Sequence, residues 1–531
     1  MSDQKTPNFL KRVFGRGEPA AEPVKIEPNL KSANRNRVHS TNRTLRMLEA
    51  AKSNRLTSDW STQAITGDEL VRRNYLPLVA RSREQAANND YAKKFLRLCT
   101  QNIVGPKGVQ LQAQSRDTTG SLDVAANEAI EKAWADWSKR ENCDITGRKN
   151  LRNVAVSLVN SAAKDGEYMV RMVFGKKAGP HGFALQVLDP LLCPAHLDQE
   201  KLPGGNFIRH GIEFNSFGRP QAYLFKTLKA DQSHYSFHGT NYIRVPADEI
   251  IHDFLEDVVG QKRGLPWMAT GLWRLRMLGK FEDASLVNAR VSSEKSGFFE
   301  WEEGLGPEKD DDEEVFIESE AGTFQELPAG LRFKEWNPQY PSGEFAVFQK
   351  AMLRGTAAGF GVAYNNLAND LEGVNFSSIR QGTLDEREHW KMLQEWLIEG
   401  FYARVFDQWL PRALLGGITM TNGGKLRAER IDKYAAVSWQ PRRWQWIDPN
   451  AEVKAAVASK DNLLASPSQI IRESGQDPDA VWRQIGSDIQ SMKKAGIPDN
   501  FIQAALKLKP EGGGGDDAPN KPESGGGEND T

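Results

Sequence analysis

The stretch that most limits what this chain can fold into is "PWMATGLWRLRMLGKFEDASLVNARVSSEK", which runs on from Pro266 without a second proline. Pro266 suits the first position of a helix, where the missing N–H is not needed. Continued for about 30 residues, such a helix is about 45 Å long at 1.5 Å per residue. A helix of that length seldom fits inside one compact domain, so the segment is expected to act as a strut. A second helix, "EFAVFQKAMLRGTAAGFG", follows, with Ser342 as its expected N-cap and Glu344 placed to complement the helix dipole. Its Gly355, Gly359 and Gly361 weaken it but let a neighbouring backbone come close. The segment between the helices, 297–342, is broken and mixed. It carries the acidic run Asp310, Asp311, Asp312, Glu313 and Glu314, flanked by "VFIES" and "LRFKEW", which are expected to pair as short strands.

On either side of this centre the pattern changes. Residues 41–103 and 122–164 read as mainly helical. Asn88–Asn89–Asp90 is expected to end one helix and let Asp90 cap the next, and Ile130, Trp134 and Trp137 share one helix face as expected core. Residues 166–254 are rich in β-branched and aromatic residues with Gly and Pro punctuation, which predicts an antiparallel, meander-like β region with a turn at Ser216–Pro220. After "VAYNNLANDLEGVNFSS", polar and Asn-rich, a helix over 383–410 is expected to open on a Thr383–Glu386 capping box. Its apolar stripe is Leu393, Leu397, Phe401, Val405 and Trp409. Residues 447–507 read as short helices. The last 22 residues are Gly-rich and acidic and predict disorder, while residues 1–40 form a basic, initially mobile arm.

The chemistry is mostly defined by what is missing. There is no GxxxxGK[ST], HExxH, GxSxG or dinucleotide fingerprint, so no cofactor is expected. Three well-separated cysteines, Cys99, Cys143 and Cys193, argue against a disulfide framework or zinc site and fit a reducing, cytosolic-type compartment. No apolar run is long enough to span a membrane. With 69 basic against 70 acidic residues, the net charge of −1 lacks the basic excess of a domain that grips nucleic acid. His252 is read as structural. Asp165, Glu167 and Asp189 could supply carboxylates to a metal, which keeps open an alternative reading as a metal-dependent nucleic-acid-processing enzyme. Turn and strand-end roles explain them more simply. A non-ring capsid adaptor or scaffold is a third reading.

Seven stretches, in order, carry a resemblance: "RSREQAANNDYAKKFLRLCTQNIVG", "DGEYMVRMV", "LQVLDPLLCP", "GIEFNSFGRPQAYLF", "VPADEIIHDF", "GQKRGLPWM" and "SWQPRRWQWIDPNAEVKAA". The chain resembles the lambda-type portal proteins of tailed bacteriophages over roughly residues 43–500. The resemblance implies an α+β subunit of a homo-oligomeric ring, a dodecamer, at one capsid vertex of the virion, assembled in the host cytoplasm. Double-stranded DNA would pass through it without sequence specificity, during packaging and again at ejection. The implied partners are the terminase large subunit, head-tail connector proteins and the major capsid or scaffold protein, with no membrane. The implied division runs from the arm (1–40) to a wing (41–265), a first stem helix (266–296), a clip (297–342) and a second stem helix (343–361). A tunnel loop (362–376), a wing-side long helix with return strands (377–446), a crown (447–507) and a tail (508–531) follow. Asn365, Asn366, Asn369 and Asn375 then fall at the DNA-facing loop, a wall without Lys or Arg to grip phosphates. Gly355, Gly359 and Gly361 suit stem helices crowded around a narrow axis. The acidic run falls in the clip, as a repulsive exit, a solvated loop or, the favoured reading, a patch for basic partners. No catalytic role is expected.

Overall fold

The computed structural model describes residues 55, 59, 61, 64–202, 204–229, 241–293, 297–301, 330–335, 345–444, 449–474 and 477–505, and its elements belong to the compact unit Ile65–Thr531. Helix and strand are both well represented. Helix α1 (Gly67–Asn88) starts at Thr66, whose hydroxyl accepts from Glu69 N at 3.3 Å, and gives way at Asn89 to α2 (Asp90–Cys99). Asn89, not Asp90, is the cap. Its backbone is extended and its side chain accepts from Tyr91 N and Ala92 N at 3.0 and 3.1 Å, while Asp90 is already helical and adds charge to the first turn.

After β1 (Gln110–Ala113), helix α3 (Val124–Trp137) places Ile130, Trp134 and Trp137 in the main core. There Trp134 meets Trp137, Phe406, Trp409 and Trp439 edge-on or tilted, and Trp137 donates its indole N–H to Phe183 O at 2.8 Å. The short α4 (Arg140–Cys143) leads to α5 (Leu151–Asp165), whose apolar face is buried against the sheet that follows.

The β region comprises β2 (Glu167–Phe174), β3 (Phe183–Leu188), β4 (Phe207–Arg209), β5 (Ile212–Phe214), β6 (Pro220–Phe225), β7 (Ile243–Pro246) and β8 (Ile250–Phe254), paired antiparallel throughout. It is not one meander. β4 to β7 form a four-stranded sheet in sequence order, but β8 returns to pair with β2, giving a separate sheet of order β3-β2-β8. A second core joins the two, with Met169, Leu188 and Ile250 against Ile212, Phe214, Tyr223, Phe225 and Val245. The expected turn between β5 and β6 is made by Asn215, whose side chain accepts from Phe217 N and Arg219 N.

Two long helices follow. α6 spans Leu272–Ser293 and α7 spans Phe345–Phe360, so the first is a 22-residue helix and does not begin at Pro266. Residues 266–271 are turns instead. Trp267 N donates to Ala163 O at 3.2 Å, Ala269 N to Pro266 O at 2.9 Å and Gly271 N to Met268 O at 3.0 Å, which anchors this segment to α5 before helical bonding starts. Between the helices lie β9 (Gly297–Trp301) and β10 (Leu331–Glu335), paired antiparallel. "LRFKE" is therefore a strand whose partner is 297–301; "VFIES" and Ser342 lie outside the described residues.

The one-turn α8 (Tyr364–Ala368) precedes α9 (Phe376–Leu397), which passes through a π turn, Ile398–Ala403, into α10 (Arg404–Gly416). Leu393, Leu397, Phe401, Val405 and Trp409 are all buried. A stripe that repeats every four residues slips by about 40° per turn around a 3.6-residue helix. The wider π turn takes up part of that slip, so the stripe stays on the core. α11 (Ile431–Tyr434) leads into β11 (Val437–Gln440), which pairs antiparallel with β1, and α12 (Pro449–Asp461), α13 (Pro467–Glu473), α14 (Pro478–Lys494) and α15 (Asp499–Ala505) end the described chain. No helix among the described residues is long and apolar enough to cross a membrane.

Candidate functional site

The site is built where α7 crosses the start of α6 and the loop after α7 is bonded to α9. α7 lies against the start of α6 without room for side chains at the crossing. A Cβ on Gly359 would meet Thr270 Oγ1 at 3.0 Å and Gly271 N at 3.3 Å, and the Thr270 hydroxyl donates to Gly359 O at 2.7 Å. The space a Cβ would take at Gly355 holds the Arg274 guanidinium. Gly361, at φ +70°, makes the turn that ends α7, beside His389.

The loop from Val362 to Asn375 is tied down by its own polar groups. Lys94 of α2 donates to Asn369 Oδ1 at 2.7 Å, and Asn369 sits in the left-handed region at φ 53°. Asp370 accepts from the Tyr364 hydroxyl at 2.7 Å, pairs with Lys350 at 2.9 Å and accepts from Glu372 N at 2.9 Å. The Tyr364 hydrogen bond, then Lys350, hold the Asp370 carboxyl well below its usual range, and burial with the same bond raises the Tyr364 phenol to about 12. Glu386, buried under the loop, accepts from Ala363 N at 3.2 Å and from the Asn366 amide, and burial pushes its carboxyl up.

Asn375 Oδ1 accepts from Ser378 N at 2.8 Å, so it is the N-cap of α9. The expected box at Thr383–Glu386 is not a helix start: both residues lie inside α9, and Glu386 turns to the loop instead of to the backbone of Thr383. Asn366, Asn369 and Asn375 thus each bond within the chain, and Asn365 is half-buried on α8. Asp310, Asp311, Asp312, Glu313 and Glu314 lie outside the described residues.

The root of α6 is fastened by a buried ionic network. Arg263, fully buried, pairs with Glu167 at 2.5 Å, and donates to Cys193 O, His210 O and Pro190 O at 3.2, 2.9 and 3.1 Å and to the Tyr75 hydroxyl at 2.9 Å. Glu167 also contacts His252 Nε2 at 3.0 Å and accepts from Gly264 N at 3.1 Å. Burial alone would raise the Glu167 carboxyl, but the Arg263 charge and the His252 contact hold it well below the usual range. Asp165 and Asp189 share Arg83, at 2.7 Å each. The three carboxylates considered for a metal therefore face guanidinium groups, which repel a cation, and no cluster suited to a metal occurs among the described residues. Of these residues, Arg263, Arg83 and Lys94 escaped sequence reading, and Glu386 was marked for a capping role it does not play. Their partners are far away in the chain, and only Asn-rich and Gly-rich spacing marked the neighbourhood.

The fold thus has two antiparallel helices that root in a mixed helix and strand body and hold a strand pair between them. Residues 53–394 match the family model for the phage portal protein, lambda family. This chain belongs to that family. It is 34% identical over 497 residues to the probable portal protein of Halomonas phage phiHAP-1, covering 92% of each chain. To portal protein B of Escherichia phage lambda it is 20% identical over 490 residues, covering 84% of this chain and 90% of the relative. Among solved structures it is similar to a chain in the neck of an empty GTA particle computed with C6 symmetry, with a TM-score of 0.42, 15% identity and coverage of 80% of this chain and 98% of that one. A chain in the neck of the native GTA particle computed with C12 symmetry matches with a TM-score of 0.41 and 14% identity, covering 76% and 94%.

Proposed function

We propose that this chain is one subunit of a dodecameric ring at a single capsid vertex of a virion, the conduit through which double-stranded DNA is packaged and later ejected. The observation that carries the reading is the portal-family match together with 34% identity over nearly the whole chain. In this reading α6 and α7 are the stem, residues 297–342 the clip, the loop Val362–Asn375 the channel-facing tunnel loop, and α12 to α15 the crown. The antiparallel α6/α7 pair, with β9 and β10 inserted between its helices, supports that division. The ring is a passive conduit and docking surface for a terminase and head-tail connectors, with ATP-driven work done by a separate motor.

The test is the mass of the full chain in solution, by light scattering after gel filtration, with negative-stain images of the same peak. A particle of about twelve times 59.3 kDa with a central hole is the expected result. A stable monomer that cuts DNA with magnesium would overturn it. The clip assignment adds a separate expectation for Asp310–Glu314. Changing the five acids to Asn and Gln should weaken docking of a basic packaging partner several-fold and flatten its salt dependence. Unchanged binding and unchanged salt dependence would remove the run from the docking surface.

A further inference from the structure

Helix α6 has three faces. One meets α7: Arg274 lies at Gly355, Phe281 stacks on Phe345 and crosses Phe348, and Gln349 donates to Glu282 at 2.7 Å. A second meets the body, burying Leu272, Leu275 and Leu278 and bringing Arg276 within 3.8 Å of Glu84. The third points away from both and is exposed: Trp273, Met277, Lys280, Ala284 and Val287, with Trp273 70% and Val287 60% exposed. The steps are four, three, four and three residues, the spacing of a seam that packs on another helix. α7 carries a matching exposed seam, Val347, Ala351, Arg354 and Ala358, again stepped four, three and four and turned away from α6, with the Arg354 guanidinium lying over the Tyr364 ring at its border with the body.

The two seams are matched in height. In the antiparallel register set by Gly271 with Gly359, Arg274 with Gly355, Phe281 with Phe348 and Glu282 with Gln349, Trp273 lies level with Ala358 and Lys280 with Ala351. Ala284 is then level with Val347, and Met277 with Arg354. Three of the four levels set a large side chain against a small one; the fourth sets two long unbranched chains side by side.

With the ring axis taken parallel to α6 and α7, rotation about it leaves heights unchanged. It therefore brings the α6 seam of one copy to the α7 seam of the next with these levels kept. We infer that the α6 seam docks head-to-tail into the α7 seam of a second copy of this chain, Trp273 over Ala358 and Lys280 over Ala351. The contact is heterologous, so it can repeat around a closed ring. Trp273 alone supplies on the order of 150–250 Å² of surface to cover. The inference rests on the ring reading and adds to it the surface and register that join neighbours.

The test uses the full chain with Lys280→Cys and Ala351→Cys together and a short bis-maleimide cross-linker. Cys99, Cys143 and Cys193 are buried and do not compete. The expected result is a ladder of covalent multimers from an assembly of unchanged mass. Lys280→Cys with Ala358→Cys, displaced by about 10 Å along α7, and each single variant should give none. An assembled ring without a ladder overturns the seam and leaves the ring standing. Dimers from Lys280→Cys alone mean that α6 meets α6, which also overturns it. A wild-type chain that never assembles overturns the ring reading and the seam with it. Trp273→Glu offers a cysteine-free check: ring mass should be lost at low micromolar concentration with the monomer's circular dichroism unchanged, and full assembly would refute the docking.

Discussion

Arg263 reaches with one guanidinium the Glu167 carboxylate, the Tyr75 hydroxyl and three main-chain carbonyls, so α1, β2, the segment after β3 and the approach to α6 are fastened at one point. Removing a single member of such a pair leaves a buried charge without compensation. Arg263→Met is expected to cost about 3–5 kcal/mol of stability at neutral pH, read by urea unfolding. The pH dependence should also weaken. In the wild type the Glu167 carboxyl is depressed when folded, so its contribution is present above the ordinary value of 4.5 and is lost as pH falls below it. In Arg263→Met only the His252 contact still opposes the burial that raises that carboxyl, so the loss of stability as the solution is taken from about pH 6 to about pH 4 should shrink. A variant that keeps the wild-type slope would show that Arg263 does not set the Glu167 charge.

At the scale of elements, α9 shows how a cap is assigned by space as much as by pattern. Thr383 and Glu386 have the spacing of a capping box, yet the helix begins seven residues earlier at Phe376 with Asn375 as its cap. Glu386 accepts from Ala363 N and the Asn366 amide in the loop below it. Asn375→Ala should therefore lower stability by about 1 kcal/mol, whereas Thr383→Ala should change it by less than about 0.5 kcal/mol. Thermal melts of the two variants side by side decide the matter; equal losses would place the helix start at Thr383. The same logic shortened α6. Pro266 carries the local signal of a helix start, but Trp267 N is bonded to Ala163 O, and the helical ladder begins only at Leu272. For β10 the sequence marked a strand but did not name its partner at 297–301, because strand pairing is a long-range contact that propensity does not encode.

Across the whole molecule, charge balance is the property that bears most directly on a DNA conduit. With a net charge of −1, the assembly should bind linear duplex DNA weakly, and log K should fall with log salt along a shallow slope, equivalent to few neutralised phosphates. Fluorescence anisotropy between about 50 and 200 mM salt measures it; a slope as steep as that of a protein making six to ten phosphate contacts would rule out a low-friction wall. Sequence alone determined several features. These are the order of helical and strand regions, the buried faces of α3 and of α9 through α10, a turn over Ser216–Pro220 and the family resemblance. All of these depend on periodicity, turn chemistry or order along the chain, which are local quantities. The tertiary structure decided which residue caps α2 and α9 and where α6 starts. It also divided strands β2 to β8 into two sheets and engaged Glu167, Asp165 and Asp189 with arginines. The start of α6, the sheet division and the arginine pairings depend on partners tens or hundreds of residues away, brought close only when the chain has folded, whereas each cap was settled by which of several neighbouring polar residues took the extended backbone.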